Sequence, residues 1–423
     1  SKQDLIAFRN RMLQAVVHHA YRNVDYYRGL FDDSGVKPAD IRCAEDLRRL
    51  PCTSKDDLRY RDRASVLSRG TNAKSCVARR TSGSSGKPFT IFRHPSEEHL
   101  VNFFRIRAYR QVGFRVSDRI ASVTERPMQG RASGLPGRMR QALGIHRRYV
   151  VDCSQPAARI IQALEKIEPG VFGGYPSALA RVAEEIELNG STIRPRLLAT
   201  GGEVLTTTTR ELASNALNAP LYDFYGAHEF NLLAWQCPAG DGYHVCDDNV
   251  ILEVIKDGKE VDEGDSGEVV ATSLHAFHMP FIRYRLGDIA TKGKERCGCG
   301  QPFSTLTGIE GRTVEYFRLP GGRRIHPFEI TGPLIDEEGS WIHRHQMIQK
   351  EVDNVVLRIS PRYEPQGKSL ARLQERGENA LGPRVKFTIE LVDKTAWDSD
   401  GKFSPYVPLG NQGSIGAVDQ DVG

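Results

Sequence analysis

The chain has 423 residues, enough for two or three domains at about 150 residues each. Apolar residues make up 39%, charged residues 26%, and the mean hydropathy is −0.43, which excludes collagen-like, coiled-coil and wholly disordered chains. The net charge of +5 is spread over 58 basic and 53 acidic side chains, no apolar run of about 18 residues could span a bilayer, and Ser1-Lys2-Gln3-Asp4 does not open a signal peptide. A cytoplasmic protein with neither a nucleic-acid nor a membrane partner is expected.

Taken in chain order, Leu5, Phe8, Met12, Val16 and Ala20 recur at helical spacing. Residues Tyr21 to Tyr27 read as a polar-aromatic turn. A linker follows at Pro51–Leu58, in which Ser54 has the chemistry of a helix N-cap. From about residue 100 to 230 strand and helix signals alternate: strand Tyr149–Asp152, helix Ala157–Ile167, strand Val171–Tyr175, helix Ser177–Leu188, strand Arg196–Gly202, helix Thr206–Ala216 and strand Pro220–Tyr225. Such alternation predicts parallel strands covered by helices, with ligands beyond the carboxyl ends of the strands. From 250 to 290 the pattern turns to β, with strands Ile251–Ile255, Gly267–Leu274 and Phe281–Tyr284 and a hairpin signal at Asp257-Gly258. After residue 312 comes a turn at Pro320–Gly322, a short helix Pro327–Asp336 and a strand-like run His343–Val356, then a helix Ser369–Glu375 and a strand Val385–Val392. The fold class is therefore α/β: a large N-terminal domain, residues 1–312, with a β-subdomain, followed by a small mobile α+β domain, residues 313–423.

Three segments carry candidate chemistry. Thr81-Ser82-Gly83-Ser84-Ser85-Gly86-Lys87-Pro88 puts hydroxyls, glycines and an ammonium into one loop. Glycines let successive N–H groups point at one anion, as a triphosphate requires. The alternative is a flexible linker, and Pro88 excludes the Walker pattern. Tyr222-Asp223-Phe224-Tyr225-Gly226-Ala227-His228-Glu229 offers an aromatic ring for stacking and a carboxylate for Mg²⁺. Tyr284-Arg285-Leu286-Gly287-Asp288 ends in an acid able to accept from two ribose hydroxyls. Taken alone, each of the last two is more readily an ordinary strand end or surface turn than a binding site.

In this order the three segments resemble the adenylate-forming superfamily of acyl-CoA synthetases, and within it the phenylacetate-CoA ligase branch, which also holds capsular-biosynthesis proteins and deazaflavin-adenylylating synthetases. The opening, His19 to Tyr27, then Asp46-Leu47, Leu50-Pro51 and Lys55–Leu58, is similar to that branch as well. The resemblance implies that Lys87 and the Thr81–Gly86 loop, with Thr81, Ser82, Gly83, Ser84, Ser85 and Gly86, hold phosphates. It implies that Gly202, Glu203, Asp223, Phe224, Tyr225 and Gly226 line the nucleotide, with Asp288 on ribose and Arg312 beside it. It assigns Glu229 to magnesium, and Lys402, in Gly401-Lys402-Phe403, to adenylation. It also implies an acid pocket at Gly173, Gly174, Tyr175 and Gly201, with Ala227 and His228; Glu125–Gln129 could form another wall. Packing of strands that need glycine is the alternative reading of those glycines. The hinge departs from the family: Val314 stands in Gly311-Arg312-Thr313-Val314 where an Asp is expected, with Glu315 adjacent.

Three of the eight cysteines form a further group with one histidine: Cys237, His244, Cys297 and Cys299 suit a closed structural zinc site, with Cys246 packed instead. Unrelated free thiols are the alternative. The expected function is an ATP- and Mg²⁺-dependent ligase that activates a carboxylic acid, an aromatic one in expectation, as its acyl-adenylate. CoA is one candidate acceptor; an amine, a hydroxyl or a carrier protein is another. AMP transfer to a hydroxyl, and a non-catalytic nucleotide-binding protein, are competing readings. A homodimer is compatible with the sequence.

Overall fold

A computed structural model describes residues 1–80, 89–124, 147–153, 155–203, 205, 207–240, 242–309, 317–325, 330, 341–361, 363–365, 367–392, 406–407 and 409. The Thr81–Pro88 loop, the Glu125–Gln129 wall, Arg312 with the hinge, most of the Pro327–Asp336 helix, Lys402 and the C-terminal tail lie outside the described residues. The chain divides into two compact units, residues 1–79 with 90–312, and residues 80–89 with 313–423.

In the first unit, helix α1 (Lys2–Asn23) starts in a capping box between Ser1 and Asp4 and buries Leu13, Val16, Val17 and Ala20. The expected turn at Tyr21–Tyr27 is instead a one-residue break: Val24 is extended, and α2 (Asp25–Asp33) begins at once. Tyr27 explains why the chain does not loop out, since its buried hydroxyl donates to the Pro280 carbonyl and accepts from the Ile282 N–H, both at 3.0 Å. Ser54 does cap a short helix, Lys55–Arg59, with Asp57 closing the box.

Strands β1 (Val77–Arg80) and β2 (Thr90–Arg93) pair as a two-stranded sheet ahead of α3 (Pro95–Gln111). The expected alternation follows: β3 (Arg119–Thr124), β4 (Arg147–Asp152), α4 (Ala157–Ile167), β5 (Val171–Gly174), α5 (Pro176–Asn189), β6 (Leu197–Gly201), α6 (Thr207–Leu217) and β7 (Leu221–Tyr225). Strands β3 to β7 are parallel. Leu164, Phe172, Leu179, Val182 and Leu198 fill one face of the sheet, while Phe114, Phe224 and Trp235 fill the other.

The β-rich part is not a separate layer. β8 (Ala234–Gln236), β9 (Tyr243–Val245), β10 (Val250–Lys256), β11 (Lys259–Glu260), β12 (Ser266–Ser273), β13 (Tyr284–Lys292) and β14 (Thr305–Ile309) extend the same sheet to twelve strands, in the order β11-β10-β12-β13-β14-β9-β8-β7-β6-β5-β3-β4. Asp257 and Gly258, both at positive φ, form the two-residue hairpin expected of them. The strand expected at Phe281–Tyr284 starts only at Tyr284, because Arg283 before it sits at φ 47°.

In the second unit β15 (Phe317–Arg318) pairs with β16 (Arg324–Ile325). β17 (Ile342–Glu351), β18 (Asn354–Pro361), β19 (Lys386–Leu391) and β20 (Tyr406–Val407) form a four-stranded sheet in the order β19-β18-β17-β20. The single run expected at His343–Val356 is thus two antiparallel strands turning at Val352-Asp353. Helix α7 (Gly367–Leu381) covers this sheet, and Leu373, Leu381 and Phe387 share its core.

Candidate active site

The carboxyl ends of β5, β6 and β7 converge at Gly174-Tyr175, Gly201-Gly202 and Tyr225-Gly226. Backbone crowding explains the glycines. A Cβ on Gly174 would lie 2.2 Å from the Val123 carbonyl oxygen, and one on Gly202, at φ 86°, would lie 3.1 Å from the Tyr175 ring. The glycines therefore let the strand ends approach one another and Tyr175.

Three of the expected nucleotide residues already have partners. Glu203 accepts from the Ser177 N–H at 3.1 Å and the Ser177 hydroxyl at 3.0 Å, which caps α5. Asp223 is 6% exposed and accepts from the Thr200 hydroxyl at 2.8 Å and the Tyr243 hydroxyl at 2.9 Å. Burial raises its carboxyl above the usual range, against these two hydrogen bonds and the charge of Arg210. The Phe224 ring turns into the core, edge-on to Tyr109 at 4.7 Å. Ala227 uses its carbonyl on the Phe230 and Asn231 N–H groups, and His228 is exposed.

The acids of the other two motifs are joined crosswise. Tyr225 donates to Asp288 Oδ2 at 2.7 Å, and Tyr284 donates to Glu229 Oε1 at 2.9 Å. Each tyrosine thus holds the acid of the other segment. Asp288, expected at a strand end, lies inside β13, in a bulge: Leu286, Gly287 and Asp288 stand opposite the single Val269. A bulge re-aims a side chain without ending the strand. β7 and β13 are four places apart in the sheet, about 19 Å if it were flat. The sheet must therefore coil to bring the Tyr225 hydroxyl onto Asp288.

A second cluster sits where β9 meets the segment before β14. The ligand atoms of Cys237, His244, Cys297 and Cys299 all lie within 4.8 Å of one another. Cys237 Sγ is 3.6 Å from Cys297 Sγ, and Cys299 Sγ is 3.2 Å from His244 Nε2. A tetrahedral zinc site with sulfur and nitrogen ligands has edges of roughly 3.5–3.8 Å, so these donors fit zinc. Burial pushes the Cys237 thiol up to about 12, and the Cys299 N–H brings Cys297 below the usual thiol value. Cys246 stays out of the cluster, fully buried in the core.

No known protein-family profile matches the chain. It is 27% identical over 381 residues to a phenylacetate-coenzyme A ligase of Thermus thermophilus, covering 85% of this chain and 82% of that one. The chain is similar in sequence to phenylacetate-coenzyme A ligases. Another relative is an indoleacetate–lysine synthetase of Pseudomonas savastanoi, 26% identical over 229 residues, which span 52% of this chain and 54% of that protein. The fold of the chain matches a 2-hydroxyisobutyryl-CoA ligase solved with 2-HIB-AMP and CoA in the thioesterification state. The TM-score is 0.67 at 21% identity, covering 96% of this chain and 90% of that one. The α/β fold expected from the sequence is thus shared with that structure over almost the whole chain. Among the described residues no helix is long and apolar enough to cross a membrane.

Sequence reasoning missed Tyr284 as a partner of Glu229, although Tyr284 opens the motif that ends in Asp288.

Proposed function

We propose that the protein is an ATP-dependent acid ligase. It joins the carboxylate of a small acid to AMP, releases pyrophosphate, and passes the acyl group to CoA or to an amine. The observation that carries this reading is the crosswise pairing of Tyr225 with Asp288 and of Tyr284 with Glu229 beyond the parallel strands. It sets an aromatic ring and two oriented acids where open α/β sheets bind ligands.

In this reading the carboxylate oxygen of the substrate attacks the α-phosphorus and pyrophosphate leaves with the electron pair of the broken bond. The acceptor then attacks the acyl carbon and AMP leaves. Asp288 receives ribose hydroxyls, its direction set by Tyr225, and Tyr225 presents its ring to adenine. Glu229 would hold Mg²⁺, which shields the charge on the transferring phosphates. By resemblance, the Thr81–Lys87 loop takes the β- and γ-phosphates, Arg312 lies by the nucleotide, and Lys402 neutralises charge developing at the α-phosphate. Gly202, Glu203, Asp223, Phe224 and Gly226 shape the nucleotide side through their main chain, since the Glu203, Asp223 and Phe224 side chains are engaged elsewhere. Gly173, Gly174, Tyr175 and Gly201, with Ala227 and His228, are assigned to an aromatic acid. Residues 1–312 bind ATP and acid, and residues 313–423 carry the adenylation lysine. Cys237, His244, Cys297 and Cys299 would hold a structural zinc, four protein ligands leaving no open position.

Amine transfer is kept as a second outcome because a relative is an indoleacetate–lysine synthetase. The test is acid-dependent pyrophosphate exchange with ATP and Mg²⁺ over a panel of aromatic and aliphatic acids, followed by AMP release with CoA or with lysine. Exchange with CoA-stimulated AMP release supports thioester formation. Exchange with lysine-stimulated release supports amide formation. Absence of exchange with every acid, with α-phosphate label retained in an organic product, overturns the ligase reading in favour of AMP transfer.

A further inference from the structure

Arg93 has no place in the scheme above, yet it is 4% exposed and its guanidinium reaches the main chain of the site. It ends β2. Its Nη2 donates to the main-chain carbonyls of His228 and Glu229, each at 3.0 Å. Its Nη1 donates to Glu98 Oε2 at 2.7 Å. The other Glu98 oxygen accepts from Arg79 Nη2, also at 2.7 Å. Arg79 belongs to β1, so both strands that bracket residues 81–88 in the chain contribute a guanidinium to one carboxylate.

The chemistry of this network is directional. Burial alone would raise the Glu98 carboxyl, but the hydrogen bonds of Arg93 and Arg79 bring it down to about 2, so it is ionised at neutral pH. An ionised Glu98 holds one edge of a planar, rigid fork whose other end grips the carbonyls of His228 and Glu229. Glu229 is thereby held twice: its main chain by Arg93 and its carboxylate by Tyr284 at 2.9 Å.

We propose that Arg93 is a positioning residue: through Glu98 and Arg79 it ties the strands on either side of residues 81–88 to the main chain of Glu229, and so sets where the metal-binding carboxylate stands. This rests on the reading of Glu229 as the Mg²⁺ carboxylate. Partners that orient a metal ligand without touching the metal typically change affinity or activity by about 10–100-fold when removed.

The test is calorimetric titration of ATP into the full chain at a series of Mg²⁺ concentrations and in EDTA, for the wild type and for R93M, R93K and E98Q. The expected result is an unchanged affinity for metal-free ATP together with a Mg²⁺ concentration at half-saturation about tenfold higher or more in R93M. E98Q, in which Arg93 keeps its carbonyl partners, shifts in the same direction by less, and R93K falls between E98Q and R93M. Wild-type Mg²⁺ dependence in a folded R93M overturns the proposal. So does a loss of ATP affinity that is equal with and without Mg²⁺, since that is what a merely structural tie produces. If R93M melts at the assay temperature, E98Q and R93K are judged by the same criteria. A wild-type protein that gains no ATP affinity from Mg²⁺ overturns both the role of Glu229 and this coupling, whereas acid-dependent pyrophosphate exchange reports on the ligase reading separately.

Discussion

Tyr225 and Tyr284 each stand four residues before the acid of their own motif, yet each donates to the acid of the other. A hydrogen bond to a charged group contributes about 1.5–3 kcal/mol, and here it also fixes direction. Tyr225→Phe keeps the ring but releases Asp288. The KM for ATP in pyrophosphate exchange should rise about tenfold or more, with little change in the KM for the acid. Glu98 supplies a second prediction. Its carboxyl is held at about 2 against an ordinary 4.5, so the stabilisation from its arginine partners is fully present above about pH 4.5. It is lost as pH falls from there towards about 2. E98Q should therefore flatten the acid limb of a urea-midpoint profile over that window; an unchanged limb would separate Glu98 from acid stability. The tyrosines and acids were visible as motif letters, because each motif is local. Their exchange of partners was not, because Tyr284 and Glu229 are 55 residues apart and meet only through the folded sheet.

At the level of elements, most helix and strand positions follow the periodicity of the side chains, and at Tyr21–Tyr27 a tertiary contact overrides it. The Tyr21–Tyr27 segment stays helical on both sides of Val24 because Tyr27 is anchored at Pro280 and Ile282. The β13 bulge was not legible, since it depends on register against β12. The capping role of Glu203 was equally hidden, 26 residues from Ser177. Glu203→Ala should destabilise the first unit by about 1 kcal/mol, read as a lower urea midpoint, because α5 loses the acceptor at its N-terminus. The cysteine–histidine cluster joins the β8–β9 turn to the segment before β14. Cys299→Ser should lower bound zinc, measured by elemental analysis of purified protein, and chelation should lower the melting temperature of the wild type more than that of the variant.

Across the whole molecule each unit has its own buried core. In the second, His345 on β17 is 1% exposed and, among the described residues, neither ring nitrogen has a hydrogen-bond partner. Burial lowers its pKa to about 4. The unfolded chain takes up a proton near 6.5 while the folded unit does not until about 4, so stability falls as pH drops through that window and levels below it. Backbone hydrogen exchange on β17 and β18 should quicken between about pH 6.5 and 4 beyond its intrinsic pH dependence, and His345→Leu should remove the excess. What the sequence determined by itself was local or additive: the α/β class, the order of helices and strands, the hairpin at Asp257-Gly258, and three motifs in the order of an adenylate-forming ligase. The tertiary structure alone decided which groups meet. Among the described residues, twelve strands in one coiled sheet carry β13 round to β7 and place Tyr225 on Asp288 and Tyr284 on Glu229, while the separate β1-β2 pair brings Arg93 to the Glu229 main chain. Strand order and sheet curvature arise from burial summed over the whole core, and no short window of residues records that sum.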